Sequence, residues 1–333
     1  MVLTIATRAE SSPTTLPPAI TAWALTTGED GMRTQVRGLA QAVATTVVEK
    51  IAPPRTLGAA IAGLTAAPSL ARAFLPPWPD IVITCGRRSV PYAVALKRAS
   101  GGRTLAVHVQ DPRAFRSEFD LIIAMDHDRI AESPGVIKVA TALHDITPAA
   151  LATAAEGWKL RFERLGRPLA GVAIGGDLRG RPFTIEDGER LLAGLRRLRE
   201  AGIGLAITPS RRTPVAVRSL LAEAFAGDSR AFLWDLENEN PYRAILSLAD
   251  RLVVTTDSVS MVSEAIATSH PVELLDLGFR RHVQFVQELV DEGLARRFEG
   301  DPSPFRTRGP FDSTQVAAGA VRRLLQARTG IVG

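Results

Sequence analysis

The chain has 333 residues, 46% of them hydrophobic and 23% charged, and a formal net charge of +5. That balance fits a globular protein of about two domains and excludes a disordered or fibrous chain. A single cysteine, Cys85, excludes a disulfide framework and a cysteine zinc cluster, and no apolar run reaches the roughly 18 residues of a membrane span.

Residues 1–18 read as a loose tail, and they lack the charged and apolar regions of a secretory signal. Ile20–Thr26 reads as a first strand. Gly28, Glu29, Asp30 and Gly31 follow as a glycine loop, and a helix is expected over about 35–46. A second strand spans Val47–Ile51. Thr56–Phe74 reads as one or two surface helices, with an apolar face against a membrane or lipidic acceptor as the alternative. Strands follow at 79–86, 104–112, 119–126 and 136–139, and a helix opens after Arg87. Pro148–Leu165 is expected as one connecting helix with Thr147 as its cap.

The pattern then restarts. Leu169–Asp177 is a strand with a glycine turn at Gly175 and Gly176, and a helix over 184–201 carries a capping signal in Thr184 and Asp187. Strands are expected at 203–208, 230–234 and 271–275, and helices at 214–225, 241–249, 283–292 and 312–327. Between them lies the most informative stretch, Arg251–Ala267. A short apolar run breaks into Thr255, Thr256, Asp257 and Ser258, and an amphipathic helix follows. A strand feeding a helix start presents free N–H groups and the positive end of the helix dipole, an anion site. Glu264 lies on the flank of that helix, where it either is solvated or accepts from a ribose diol.

Two βα-repeating halves make an α/β protein with parallel sheets and a cleft between them. In the second half, three loops fall at carboxyl ends of strands: Gly175–Asp177, Ser210–Arg212 and Thr255–Ser260. Together a glycine turn, the Arg211–Arg212 pair and a helix start form an expected pyrophosphate cradle. In the first half the candidate groups are Glu29, Asp30, Arg33, Arg87, His108, Gln110, Asp111 and His144. His108, inside an apolar strand, reads first as a hydrogen-bonded core residue and second as a catalyst. Asp126, His127 and Asp128 are adjacent, and adjacent side chains rarely face one centre, so no metal is expected. Arginine supplies nearly all the positive charge, beside only four lysines. The arginines are scattered in pairs and aromatics are few, so no nucleic-acid partner is expected.

The segments Gly28–Gly31, His108–Pro112, Ala142–His144, Gly175–Gly176, Thr208–Arg212, Glu239–Tyr242 and Thr256–Glu264 resemble the mitochondrial-fission ELM (elongated mitochondria) family over about residues 21–297. More distantly, the second half is similar to the nucleotide-sugar domain of GT-B glycosyltransferases. The resemblance implies a GT-B-like fold: two Rossmann-like domains across a cleft and a C-terminal helix crossing back to the first. The implied division is a tail to residue 18, an acceptor-side domain over 19–150, a connecting helix over 151–167, a nucleotide-sugar domain over 168–310 and a terminal helix over 311–333.

It also implies roles. Trp234 to Asn240 would hold the base, Ser258, Val259 and Ser260 the diphosphate, Glu264 the ribose, and Arg281, His282 and Gln284 the donor sugar. Gly175, Gly176, Ser210 and Arg211 complete the donor side; Gly28, Glu29 and Gly31 face the acceptor. The implied activity is metal-independent sugar transfer from a nucleotide diphosphate donor, with Asp30 or His108 as acceptor base. Its rivals are a non-hydrolysing nucleotide-sugar epimerase and a non-catalytic scaffold, since the family in plants is tied to recruiting a dynamin-related GTPase. The expected ligand is a nucleotide diphosphate sugar with no other cofactor. The expected location is the cytoplasm, with peripheral contact at the inner face of the membrane as a further expectation.

Overall fold

The computed structural model describes residues 19–53, 74–125, 128, 130–178, 180–280 and 282–329. The expectations for the tail, most of Thr56–Phe74, Asp126, His127 and Arg281 therefore lie outside the described residues.

In the first half, strands β1 (Thr21–Thr26), β2 (Thr46–Ile51), β3 (Ile81–Cys85), β4 (Leu105–Val109), β5 (Leu121–Met125) and β6 (Val136–Val139) form one parallel sheet, ordered β2-β1-β3-β4-β5-β6. Helices α1 (Asp30–Val43) and α2 (Val90–Ala99) cover it. The strands β3, β4 and β5 are buried throughout, as strands with helices on both faces must be, and read as near-continuous apolar runs, interrupted by Thr84 and His108.

Two helices, α3 (Pro148–Glu156) and α4 (Lys159–Glu163), lead to the second half. The connection is thus two helices rather than one. Gly157 and the buried Trp158 separate them, and Trp158 packs on Phe162 and Phe232. The second sheet combines β7 (Leu169–Ile174), β8 (Gly204–Pro209), β9 (Ala231–Leu233), β10 (Arg251–Thr255), β11 (Val272–Leu275) and β12 (Arg296–Arg297), ordered β12-β11-β10-β7-β8-β9. The two-residue strand β12 carried no readable pattern. Helices here are α5 (Ile185–Glu200), α6 (Val215–Ala224), α7 (Tyr242–Leu248), α8 (Val259–Ile266) and α9 (Val283–Asp291). Thr184 and Asp187 form the expected capping box of α5.

Helix α10 (Ser313–Thr329) returns to pack along α1, and Arg322 donates to the Ala42 carbonyl at 2.6 Å. The fold is thus GT-B-like: two parallel six-stranded α/β units with a terminal helix crossing back. One apolar cluster joins the units, since Leu39, Ile83 and Leu143 share it with Leu252, Ala265 and Val321. On β10, β11 and β12 of the second sheet, Arg251 and Arg296 flank the buried Glu273 at 2.5 and 3.0 Å. The Phe305 ring lies over both guanidinium groups, at 4.9 and 3.6 Å, which anchors the Pro- and Arg-rich segment before α10.

Both sheets reverse their strand order once, between β1 and β3 and between β7 and β10. In open α/β sheets ligands bind outside the carboxyl ends of the strands at such a switch point. The loops there are 27–29 and 86–89 in the first unit, and 175–177 and 256–258 in the second.

Candidate functional site

The second switch point is built around Asp257, which is 2% exposed. The Gly176 N–H donates to its Oδ2 at 2.7 Å and the Thr255 hydroxyl to its Oδ1 at 2.6 Å. The Gly175 N–H donates to Thr255 Oγ1 at 2.8 Å, and Arg212 Nη2 stands 3.6 Å from the carboxylate. Burial raises the Asp257 carboxyl above its usual range, against the hydrogen bonds that lower it. Both glycines are needed for closeness. A Cβ at Gly175 would meet Asp257 Oδ2 at 1.8 Å, and one at Gly176 would meet the Arg212 carbonyl at 2.0 Å. Ser210 ties in by donating to the Gly175 carbonyl at 2.9 Å. The three loops do come together, but the glycine amides are taken up within the protein. Arg211 is exposed on the rim.

Helix α8 starts beside this knot. Ser258 is its N-cap, and its Oγ accepts from the Met261 N–H at 3.3 Å. The amides of Val259 and Ser260 are the first two of the helix, and among the described residues they have no acceptor. Thr256 and Asp257 anchor the loop: Thr256 Oγ1 accepts from Leu277, and the Thr256 carbonyl accepts from His282 Nδ1 at 2.7 Å. Since a carbonyl only accepts, that nitrogen of His282 carries the proton. Gln284 is exposed and donates to Glu288.

Glu264, five residues into α8, is neither solvated nor free. It is 7% exposed, and the Tyr242 hydroxyl donates to its Oε2 at 2.5 Å. Burial pushes its pKa up to about 7; Asp145 adds to the rise, while Tyr242 and Arg243 oppose it. Tyr242 opens α7 immediately after Asn240 and Pro241, and Asn240 Oδ1 accepts the Tyr242 N–H at 2.9 Å. Asn240 itself is exposed. Trp234, at the start of that loop, is buried, and its indole N–H has no acceptor among the described residues.

The first unit meets α8 directly. A Cβ at Gly31 would stand 3.4 Å from Ser260 Oγ. Gly31 belongs to α1, which starts at Asp30 and not near Gln35, because Glu29 is already the extended N-cap. Glu29 accepts from Thr27 Oγ1 and pairs with Arg88 at 3.5 Å; the Thr27 hydrogen bond, above all, holds its carboxyl low. Gly28, at φ 101°, makes the turn between them. Asp30 is exposed, Arg33 pairs with Glu49 at 3.0 Å, and Arg87 is exposed at the end of β3.

Gln110 takes a left-handed φ of 78°, and Asp111 is held bidentately by Arg116 at 2.9 and 2.7 Å, which lowers its pKa. His108 lies in the core, 1% exposed. Its Nδ1 is 2.7 Å from Thr84 Oγ1, and burial lowers its pKa to about 3.

His144 is a joint residue. Its N–H and carbonyl both bond Thr314 Oγ1, at 2.9 and 3.0 Å. Its buried ring stands 3.4 Å from Asp312, too poorly aligned for a hydrogen bond, and burial lowers its pKa. Beside it, Ala142 N–H reaches Ser263 Oγ at 2.9 Å, and Asp145 is clamped by Arg37 of α1 and Arg243 of α7 at 2.6 and 2.7 Å. Tyr242, Arg243, Asp145 and Arg37 were not singled out from the sequence. Their partners lie far along the chain, and only the odd charge pair hints at them.

A cavity of about 430 Å³ opens at the end of β11, lined by Arg181, Arg190, Asp276 and Arg297 among others. Its arginines are answered by Asp187 and Asp276, so it lacks the unanswered donors of α8. Among the described residues no three of His, Cys, Asp and Glu group as a metal site, and no helix is long and apolar enough to cross a membrane.

In the solved structures, the UDP-GlcNAc 2-epimerase of Methanocaldococcus jannaschii matches with a TM-score of 0.59 at 14% identity, covering 92% of this chain and 99% of that one. A UDP-N-acetylglucosamine 2-epimerase from Listeria monocytogenes matches at 0.56 and 14%, covering 95% and 98%. At such identities the likeness concerns the fold. In sequence, Mitochondrial fission protein ELM1 of Arabidopsis thaliana is 29% identical over 276 residues, 75% of this chain but only 65% of the plant protein's length. An uncharacterized protein of Rickettsia prowazekii is 27% identical over 258 residues, covering 66% of this chain and 72% of its own. The profile of the family described as Mitochondrial fission ELM1 matches residues 30–325, and the chain belongs to that family.

Proposed function

We propose that this chain binds a nucleoside diphosphate sugar at the second switch point and transfers the sugar to an acceptor held by the first unit, without requiring a metal. One observation carries the reading: a single helix combines two unanswered first-turn amides with a buried carboxylate. The amides of Val259 and Ser260, backed by the helix dipole, suit a diphosphate. Glu264, about 7.5 Å further along the axis, suits the ribose diol. As the glycosidic bond breaks, charge grows on the leaving diphosphate, where the α8 terminus stabilises it. The epimerases that share the fold are named for a nucleotide sugar, which supports the donor class.

Asp30 is the acceptor base in this reading, because it stands exposed at the α1 start, one residue before Gly31, which faces Ser260. His108 is given no role, since it is sealed in the core. Epimerisation of the bound sugar is the second reading, supported by what those two neighbours are named for.

The test is thermal unfolding against a panel of nucleotides and nucleotide sugars. A ligand at 100 times its dissociation constant adds about 2.7 kcal/mol of stability. The expected result is a shift with one diphosphate donor, absent in Glu264→Gln, followed by sugar on an added acceptor. Epimerised donor in place of transfer product supports the second reading. No shift across the panel overturns both and leaves a scaffold.

A further inference from the structure

Glu264 offers its two oxygens differently. Oε2 accepts the Tyr242 hydroxyl at 2.5 Å. Oε1 has no hydrogen-bond partner among the described residues, and it is not among the side-chain atoms sealed from solvent without one. A carboxylate on a flexible three-bond stem has several rotamers, and a short hydrogen bond from a phenol selects one. The groups facing it come from three elements. Tyr242 and Arg243 stand on α7, Asp145 on the segment after β6, and Arg37 of α1 acts through its pair with Asp145. Among the described residues Tyr242 alone donates a hydrogen bond to it.

We propose that Tyr242 is a positioning residue for the donor site: its hydroxyl fixes Glu264 in one rotamer, favours the ionised form, and leaves Oε1 to accept from a ribose hydroxyl. The proposal rests on the donor reading above and deepens it. It also ties the base-side loop to the ribose, because Asn240, which ends that loop, orders the first amide of α7 through the Tyr242 N–H. A phenol hydrogen bond favours the charged carboxylate, so its loss raises the carboxyl's midpoint. Burial already places that midpoint near neutrality, where the effect is readable.

The first measurement uses the full chain labelled with ¹³C-glutamate, the Glu264 signal being identified by its loss in Glu264→Gln. In the wild type the signal titrates near pH 7; in Tyr242→Phe the midpoint rises by about one pH unit. An unmoved or lowered midpoint overturns the proposal. Should Tyr242→Phe unfold, the wild type still decides: the Tyr242 ring ¹³Cζ signal must follow the Glu264 titration, and a flat signal overturns the proposal.

The second measurement is calorimetric binding of UDP, ADP and GDP from pH 6 to 8. Affinity for the preferred diphosphate rises with pH in the wild type, and the curve moves to higher pH in Tyr242→Phe. Binding with superimposable curves overturns this inference alone. No binding by either protein at any pH overturns the donor reading, and this inference with it.

Discussion

At the scale of the residue, two buried carboxylates define the second switch point and behave oppositely. Asp257 is saturated by Gly176, Thr255 and Arg212, so its task is to shape a loop. Replacing it with Ala leaves the Gly176 N–H buried without an acceptor, and a loss of about 2–4 kcal/mol is expected in urea unfolding. Among the described residues Glu264 has one side-chain hydrogen bond, and its pKa is raised to about 7. Its folded value lies above the unfolded one near 4.3, so folding favours the protonated form. Its stabilising contribution is complete below about pH 4.3 and is lost as pH rises through 7, by up to about 3–4 kcal/mol. Glu264→Gln removes that dependence. Relative to wild type the variant therefore gains stability between pH 5 and pH 8, and equal differences at both would refute the assignment. The sequence exposed Glu264 through its place on a helix behind a Thr-Asp-Ser turn. It hid Tyr242, because the two stand 22 positions apart in sequence, on different helices, and meet only in the fold.

Among the elements, the strands were the most legible, since buried parallel strands need near-continuous apolar runs. Helix starts were less so. Glu29–Gly31 reads as a loop by composition, yet Asp30 and Gly31 are helical, with Asp30 complementing the helix dipole. A Cβ on Gly31 would only touch Ser260 Oγ, at 3.4 Å, so α1 lies against α8 there without requiring glycine. Two turns further into the helix, closeness becomes stricter. A Cβ on Gly38 would lie 1.9 Å from the His144 carbonyl oxygen, which is backbone and itself held by Thr314. Gly38→Ala must push α1 off the joint, and a loss of about 3 kcal/mol is expected by urea unfolding. Gly157→Ala is the control. Its site is open and its backbone already right-handed helical, so it should gain about 0.4–1 kcal/mol. Similar losses at both positions would show that helix contact is not what Gly38 serves.

For the whole molecule, the question is whether two sheets unfold as one. The resemblance implied two domains, and domains joined by a linker often melt separately. Here the joint is not a bare linker. Ala142 hydrogen-bonds α8, His144 hydrogen-bonds the start of α10, and Asp145 is clamped between α1 and α7. Beneath these polar ties, one apolar cluster takes side chains from both units. Burial of apolar area outweighs partly exposed ion pairs, and Arg37 and Arg243 keep 28% and 39% of their side chains exposed. The core, and not the clamp, should therefore carry the coupling. Calorimetry of the wild type should give one transition, with equal calorimetric and van't Hoff enthalpies. Asp145→Ala should cost about 2 kcal/mol, lowering Tm by about 3 °C for a chain of this size, yet keep the single transition. Two resolved transitions in the wild type would show that the shared cluster does not join the units. Two in the variant alone would assign the coupling to Asp145.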